Sequence, residues 1–200
     1  MAAPRVLIFA GSARRQALSK RLARASLAAI DAAGARGTLI DLADFEMPLY
    51  NADLEASTGL PPATRRLQAL IAEHDALLIA SPEYNGCMPP LLVNTLDWCS
   101  RTDPQLVASS GLKIFADKPA AVVGSSPGAL GGVRALIQLR DLLGYLGMLV
   151  IAQQLAVARA QQAFDADDRL IDEPQKSALA AVASALVSAA AHLHQQPVEL

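Results

Sequence analysis

Three short segments carry most of the side chains able to hold a small ligand. The first is Gly11-Ser12-Ala13-Arg14-Arg15-Gln16-Ala17-Leu18-Ser19. Ser12 and Ser19 offer hydroxyls, and Arg14 offers charge-assisted hydrogen bonds of the kind that hold a phosphate. If this segment leads from a strand into a helix, the unpaired N–H groups and positive dipole of the helix start favour the same anion. A helix cap followed by solvated arginines uses the same residues equally well. The segment is neither Gly-x-x-x-x-Gly-Lys-Ser/Thr nor Gly-x-Gly-x-x-Gly, which disfavours a triphosphate P-loop and a dinucleotide fingerprint.

The second segment is Ser81-Pro82-Glu83-Tyr84-Asn85-Gly86-Cys87-Met88-Pro89-Pro90. Its prolines make it stiff, and Asn85-Gly86 marks a tight turn. It suits a flat heterocycle, with Tyr84 beside the ring and Asn85 and backbone groups at the ring's polar edge. A plain turn is the alternative. The third segment, Ser125-Ser126-Pro127-Gly128-Ala129-Leu130-Gly131-Gly132, has glycines that let a backbone approach a ligand closely. A glycine-rich turn without a ligand fits nearly as well.

Other reactive types are sparse. Cys87 and Cys99 form no Cys-x-x-Cys motif and no disulfide framework. Cys99 falls among apolar helix positions and reads as a small hydrophobe. His74 reads as a packed or capping residue, and His192 and His194 have no neighbouring metal-ligand set. Asp165-x-Asp167-Asp168 lacks the Gly and Glu of a calcium loop and reads as a solvated turn. No metal site and no catalytic acid, base or nucleophile is assigned.

The elements that must position the three segments follow from apolar periodicity. Continuous apolar runs at Val6–Phe9, Ala76–Ala80, Ala120–Gly124 and Met148–Ile151 are expected strands, with a further strand at Thr38–Leu42. Helical spacing appears from Leu18 to Ile30, closed by Gly34 and Gly37, and again over 62–74, 89–101, the stretch to about 146, and an Ala-rich stretch to about 194. Five βα units predict a flavodoxin-like α/β fold, a doubly wound parallel sheet of order 2-1-3-4-5 with helices on both faces. The three ligand-capable segments then follow strands 1, 3 and 4, at the carboxyl edge where such sheets bind ligands. The helix 89–101 is apolar on two stripes, Leu92-Leu96-Cys99 and Leu91-Thr95-Trp98, and the second stripe asks for a partner.

Composition limits the function classes. The 200 residues are 52% hydrophobic and 18% charged, with a net charge of −2, which excludes wholesale disorder and gives no basic footprint for nucleic acid. Eight aromatic residues are too few for a row of base-stacking platforms. No apolar run approaches the ~20 residues of a membrane span. One domain over 1–200, with 194–200 as a frayed tail, and a cytoplasmic location are expected.

Gly-Ser-x-Arg at 11–14, Pro-Glu-Tyr-Asn-Gly at 82–86, and Asn94-Thr95-Leu96-Asp97-Trp98 together resemble the NADPH-dependent FMN reductase family, which includes quinone, azo-dye and chromate reductases. The resemblance runs over roughly 5–190. It implies FMN as cofactor and NADPH or NADH as electron donor, with hydride passing to the flavin and then to a small-molecule acceptor. It places Ser12, Arg14 and Ser19 at the FMN phosphate. Pro82, Glu83, Tyr84, Asn85 and Gly86 fall beside the isoalloxazine and ribityl chain, and Ser125, Ser126, Pro127 and Gly128 near the dimethylbenzene and pyrimidine side of the site. Many relatives have Ser where this chain has Ala17 and Asn where it has Ser19, so one phosphate donor is lost here. The resemblance also implies a homodimer or homotetramer. A flavodoxin-type electron carrier docking a protein partner is the alternative; the chain lacks the acidic clustering such carriers show around the flavin.

Overall fold

The computed structural model describes residues 2–106 and 109–193. The expected tail at 194–200, with His194, lies outside the described residues. The chain runs β1 (Arg5–Ala10), α1 (Leu18–Ala32), β2 (Arg36–Ile40), α2 (Ala52–Thr58), α3 (Pro62–Glu73), β3 (Ala76–Ser81), α4 (Pro90–Cys99), β4 (Pro119–Ser125), α5 (Val133–Tyr145), β5 (Leu149–Val157) and α6 (Glu173–Leu193). The strands form one parallel sheet of order β2-β1-β3-β4-β5, as the alternating pattern predicts.

Central strands covered on both sides need apolar residues at every position. Val6–Ala10, β3 and β4 are buried throughout. Side chains alternate between the faces. Val6, Ile8, Leu78 and Val123 meet α1 and α6 through Leu22, Ile30, Val182 and Leu186. Leu7, Phe9, Leu77 and Val122 meet α3, α4 and α5 through Leu67, Ile71, Leu96, Leu136 and Leu139.

Four expectations change. Gly37 is a strand residue paired with Val6, and Gly34 alone, at φ 89°, turns the chain out of α1. The last strand continues to Val157, past Ile151, because a bulge opposite Ala120–Val122 carries exposed Gln153 and Gln154 along the sheet edge. Helix α2 has no expected counterpart. It buries none of its residues, so it carries no apolar period; Asn51 caps it by accepting from Asp53 N (2.8 Å). The second stripe of α4 needs no other subunit. Trp98 and Thr95 are buried beneath residues 48–50. Trp98 Nε1 donates to Pro48 O (2.8 Å), Asn94 Nδ2 donates to the same carbonyl (3.0 Å), and Tyr50 meets the indole edge-on at 5.0 Å.

The turn at Asp165–Asp168 also does more than face water. Asp168 pairs with Arg21 and Arg24 and ties this turn to α1. Helix α6 has the length and apolarity of a membrane span by composition alone. Its apolar stripe, Leu179, Val182, Leu186 and Ala190, is buried on the sheet, as in a core helix.

Candidate functional site

The turn after β1 stays in the plane of the sheet: Gly11 N donates to Ala80 O (2.9 Å). Ser12 Oγ then accepts from Arg14 N (3.3 Å), which curls the loop toward α1. The N-cap of α1 is Ala17, whose side chain can accept nothing, and no acidic residue sits in the first turn. Neither serine caps the helix, so its orphan N–H groups are left for another acceptor. Ser19 Oγ is buried and has no hydrogen-bond partner. Arg14 is exposed; one guanidinium nitrogen donates to Gln16 O (2.9 Å), which holds the head over the loop with its other donors available.

The second loop is a miniature hairpin. Tyr84 and Cys87 exchange backbone hydrogen bonds of 3.0 Å in both directions. Asn85 and Gly86 between them have φ of 54° and 78°, as a two-residue type I′ turn requires. The loop is anchored to α5. Glu83 accepts from Arg134 N (3.1 Å), Ala135 N (3.3 Å) and Arg134 Nε (2.8 Å), with a further bond from the same guanidinium. Gln138 Nε2 donates to Gly86 O (3.0 Å) while its Oε1 accepts from Met88 N (3.3 Å). The Arg134 guanidinium holds the Glu83 carboxyl below the ordinary carboxylate range, against the burial that would raise it.

The third loop is tied to the end of β5. Ser126 N donates to Val157 O (3.1 Å) and Arg159 N to Gly128 O (3.1 Å). Gly131 passes so close to β5 that a Cβ would lie 2.7 Å from the Ala156 carbonyl carbon. Ser125 Oγ, like Ser19 Oγ, is buried and unpartnered.

These loops meet around a cavity of about 290 Å³. Nine of the twelve expected residues line it: Ser12, Arg14, Ser19, Pro82, Glu83, Tyr84, Ser125, Ser126 and Pro127, joined by Ala17 and Leu18. Asn85, Gly86 and Gly128 do not. Asn85 and Gly86 form the hairpin tip, and Gly128 holds Arg159 from outside. Glu83 lines the wall, but its carboxylate is taken up by α5. Sequence reasoning misses Arg134 and Gln138, because their partners lie about fifty residues away and no local pattern announces the contact.

Chemically, the cavity offers a cationic and N–H-rich end at Ser12–Ser19, two unpartnered buried hydroxyls, and an aromatic rim at Tyr84. A buried hydroxyl without a partner costs ~1–3 kcal/mol, so two of them lining one cavity indicate an acceptor that the bound state supplies. A flat ring carried on a phosphate monoester satisfies all three features, and FMN is such a molecule. No group of three or more His, Cys, Asp or Glu able to hold a metal occurs among the described residues. Cys99 is buried, and burial pushes its thiol far up, which leaves it inert.

Comparison with known proteins gives the family independently of this geometry. The NAD(P)H-dependent FMN reductase of Pseudomonas aeruginosa is 42% identical over 139 residues, 68% of this chain and 70% of that protein. The 2-hydroxy-1,4-benzoquinone reductase of a Burkholderia species is 32% identical over 88% of this chain and 90% of that protein. The structure of FerB, a flavoenzyme NAD(P)H:(acceptor) oxidoreductase from Paracoccus denitrificans, is 28% identical. It superposes with a TM-score of 0.77 over 95% of this chain and 98% of its own. The protein is an FMN-dependent NAD(P)H oxidoreductase, and the flavodoxin-type carrier is the less supported reading. Residues 4–162 match the family model for NADPH-dependent FMN reductase, and the chain belongs to that family.

Proposed function

We propose that this reductase delivers its electrons to small quinone-type acceptors at an open flavin site formed by the three loops. The observation that carries the site is the pair of buried, unpartnered hydroxyls lining one cavity, Ser19 in the first turn of α1 and Ser125 at the end of β4. Ser12, Ser19, Arg14 and the uncapped start of α1 would hold the FMN phosphate. Pro82, Tyr84, Ser125, Ser126 and Pro127 would flank the ring system.

Bound FMN supplies a hydride acceptor that can return both electrons to a second substrate. The chain's part is position and electrostatics. Arg14 balances the phosphate charge. The Glu83–Arg134 pair and Gln138 keep the second loop in place without presenting a free carboxylate to an electron-rich ring. Tyr84, 47% exposed, gives an incoming planar substrate an aromatic edge at the rim. No side chain in the cavity is required to take or give a proton.

Quinones are favoured because a curated relative is named as a benzoquinone reductase, and because a cavity with the exposed Tyr84 ring at its rim suits flat molecules. Azo dyes, chromate and free flavin compete for the same exposed face. The test is anaerobic mixing of FMN-loaded protein with NADPH, followed by benzoquinone. The flavin absorbance should bleach and then return on adding quinone. A flavin that stays yellow with NADPH refutes the reading. Bleaching without return on quinone removes the acceptor class alone.

A homodimer and a cytoplasmic location complete the proposal. With α4 covered by its own chain, the dimer rests on the exposed apolar residues of α5, Ile137 and Tyr145, and on Leu130 beside the third loop. Two free cysteines, one of them exposed, suit a reducing compartment. A monomeric mass at micromolar concentration refutes the dimer, and recovery outside the cytosolic fraction refutes the location.

A further inference from the structure

A second cavity, of about 480 Å³, lies on the other side of the first turn of α1: Ser19 lines the cavity described above and Lys20 lines this one. It opens at the carboxyl ends of β1 and β2, with Ala10, Leu39 and Ile40 as its floor and Ala23 of α1 as a wall. Facing them is Phe45, with the Arg66 guanidinium 5.5 Å over its ring. Arg66 donates to Asp44 O (2.9 Å) and forms no ion pair among the described residues. The Asp44 side chain has no hydrogen bond or ion pair among them either.

Each feature selects part of a ligand. The apolar floor and the Phe45–Arg66 wall fit a flat heterocycle, stacked on the ring or the guanidinium. The remaining Arg66 donors fit a phosphate. The Asp44 carboxylate accepts hydroxyls, as an acidic residue beyond the second strand of a dinucleotide-binding sheet does for a ribose. A bare phosphate leaves the apolar floor uncovered, and a quinone leaves Arg66 and Asp44 unused. We infer that this cavity binds an adenine nucleotide unit, and that it seats the adenylate half of the NAD(P)H donor beside the flavin site. The second clause rests on the reductase reading; the first does not.

The test uses FMN-loaded protein and 5′-AMP, with adenosine and inorganic phosphate as comparison ligands, followed by calorimetry. AMP should bind wild type more tightly than either comparison ligand. Arg66→Ala and Asp44→Ala should each weaken it at least tenfold while FMN occupancy stays full, since both side chains are exposed and lie outside the flavin cavity. In turnover, the same variants should raise KM for NADH, whose adenosine ribose keeps the 2′-hydroxyl that Asp44 accepts, at unchanged kcat. They should leave reduced nicotinamide mononucleotide, which lacks the adenylate, unaffected. No AMP binding to wild type, equal binding to the variants, or inorganic phosphate binding as tightly as AMP overturns the site. AMP binding with neither NADH nor NADPH oxidised by wild type keeps the nucleotide site and sinks its assignment to the donor. Equal losses with the full and truncated donors also sink that assignment.

Discussion

Ser19 is the residue whose removal separates structure from binding. Its hydroxyl is buried without a partner, so Ser19→Ala should leave the unliganded protein unchanged or stabilise it, by at most the ~1–3 kcal/mol cost of an unsatisfied polar group. The same change should weaken FMN binding, because the acceptor that would satisfy the hydroxyl is the phosphate. Thermal unfolding of the apoprotein and flavin-fluorescence titration read the two effects, and a loss in both would make Ser19 a structural residue. Arg14 makes the complementary case. It is exposed and contacts only its own loop, so Arg14→Ala should leave apoprotein stability unchanged and weaken FMN by about 1.5–3 kcal/mol, the scale of a charged hydrogen bond. Both residues were legible in the sequence, since a Gly-Ser-x-Arg turn carries its chemistry within a few positions. Glu83 was legible as a position and not as a role. It lines the cavity as expected, while its carboxylate is engaged by α5 through contacts no local pattern records.

At the scale of elements, the second loop is only as firm as its clamp on α5. Glu83 is ionised below the usual carboxylate range because Arg134 and the α5 amides favour the charged form. A depressed folded value contributes stability that is complete above the unfolded value of about 4.3, and that is lost as pH falls through the lower folded value. FMN affinity should therefore be flat from pH 6 to 8 as far as this pair is concerned, and should fall only in acid. Arg134→Met should move that acid limb upward, and an unmoved limb would show that the clamp does not govern the loop. The third loop depends on Gly131 instead. Its φ of 62° and the backbone of Ala156 and Ala158 within 3 Å of any added Cβ leave no room for a side chain. Gly131→Ala should lose about 1–2 kcal/mol from the left-handed backbone alone, with the clash adding to it, and FMN should bind poorly. Urea midpoints and titration check both. The glycines could be read in the sequence as permissive, but not that one of them presses on β5. Helix α2 escaped for the opposite reason: an element that buries nothing has only its cap to announce it.

At the scale of the molecule, the sheet order was legible because each central strand is apolar throughout and each helix is apolar on one side, which leaves few right-handed ways to connect them. The partner of α4 was not. The sequence shows that Trp98 must be covered, but residues 48–50 and a second subunit would satisfy it equally until the chain is folded. The same single sheet makes the ligand a global stabiliser. The three loops leave β1, β3 and β4, which are adjacent in the sheet and buried in common cores, so none can release FMN by unfolding alone. Ligand at a hundredfold excess over Kd adds about 2.7 kcal/mol to the native state. At ~2–4 °C per kcal/mol for a domain of this size, saturating FMN should raise the unfolding midpoint of the apoprotein by about 5–10 °C. Riboflavin, which lacks the phosphate, should raise it much less at equal concentration. Equal shifts with riboflavin and FMN would mean that the start of α1 does not hold the phosphate. A shift confined to a separate early transition would mean that the three loops open independently of the sheet that carries them.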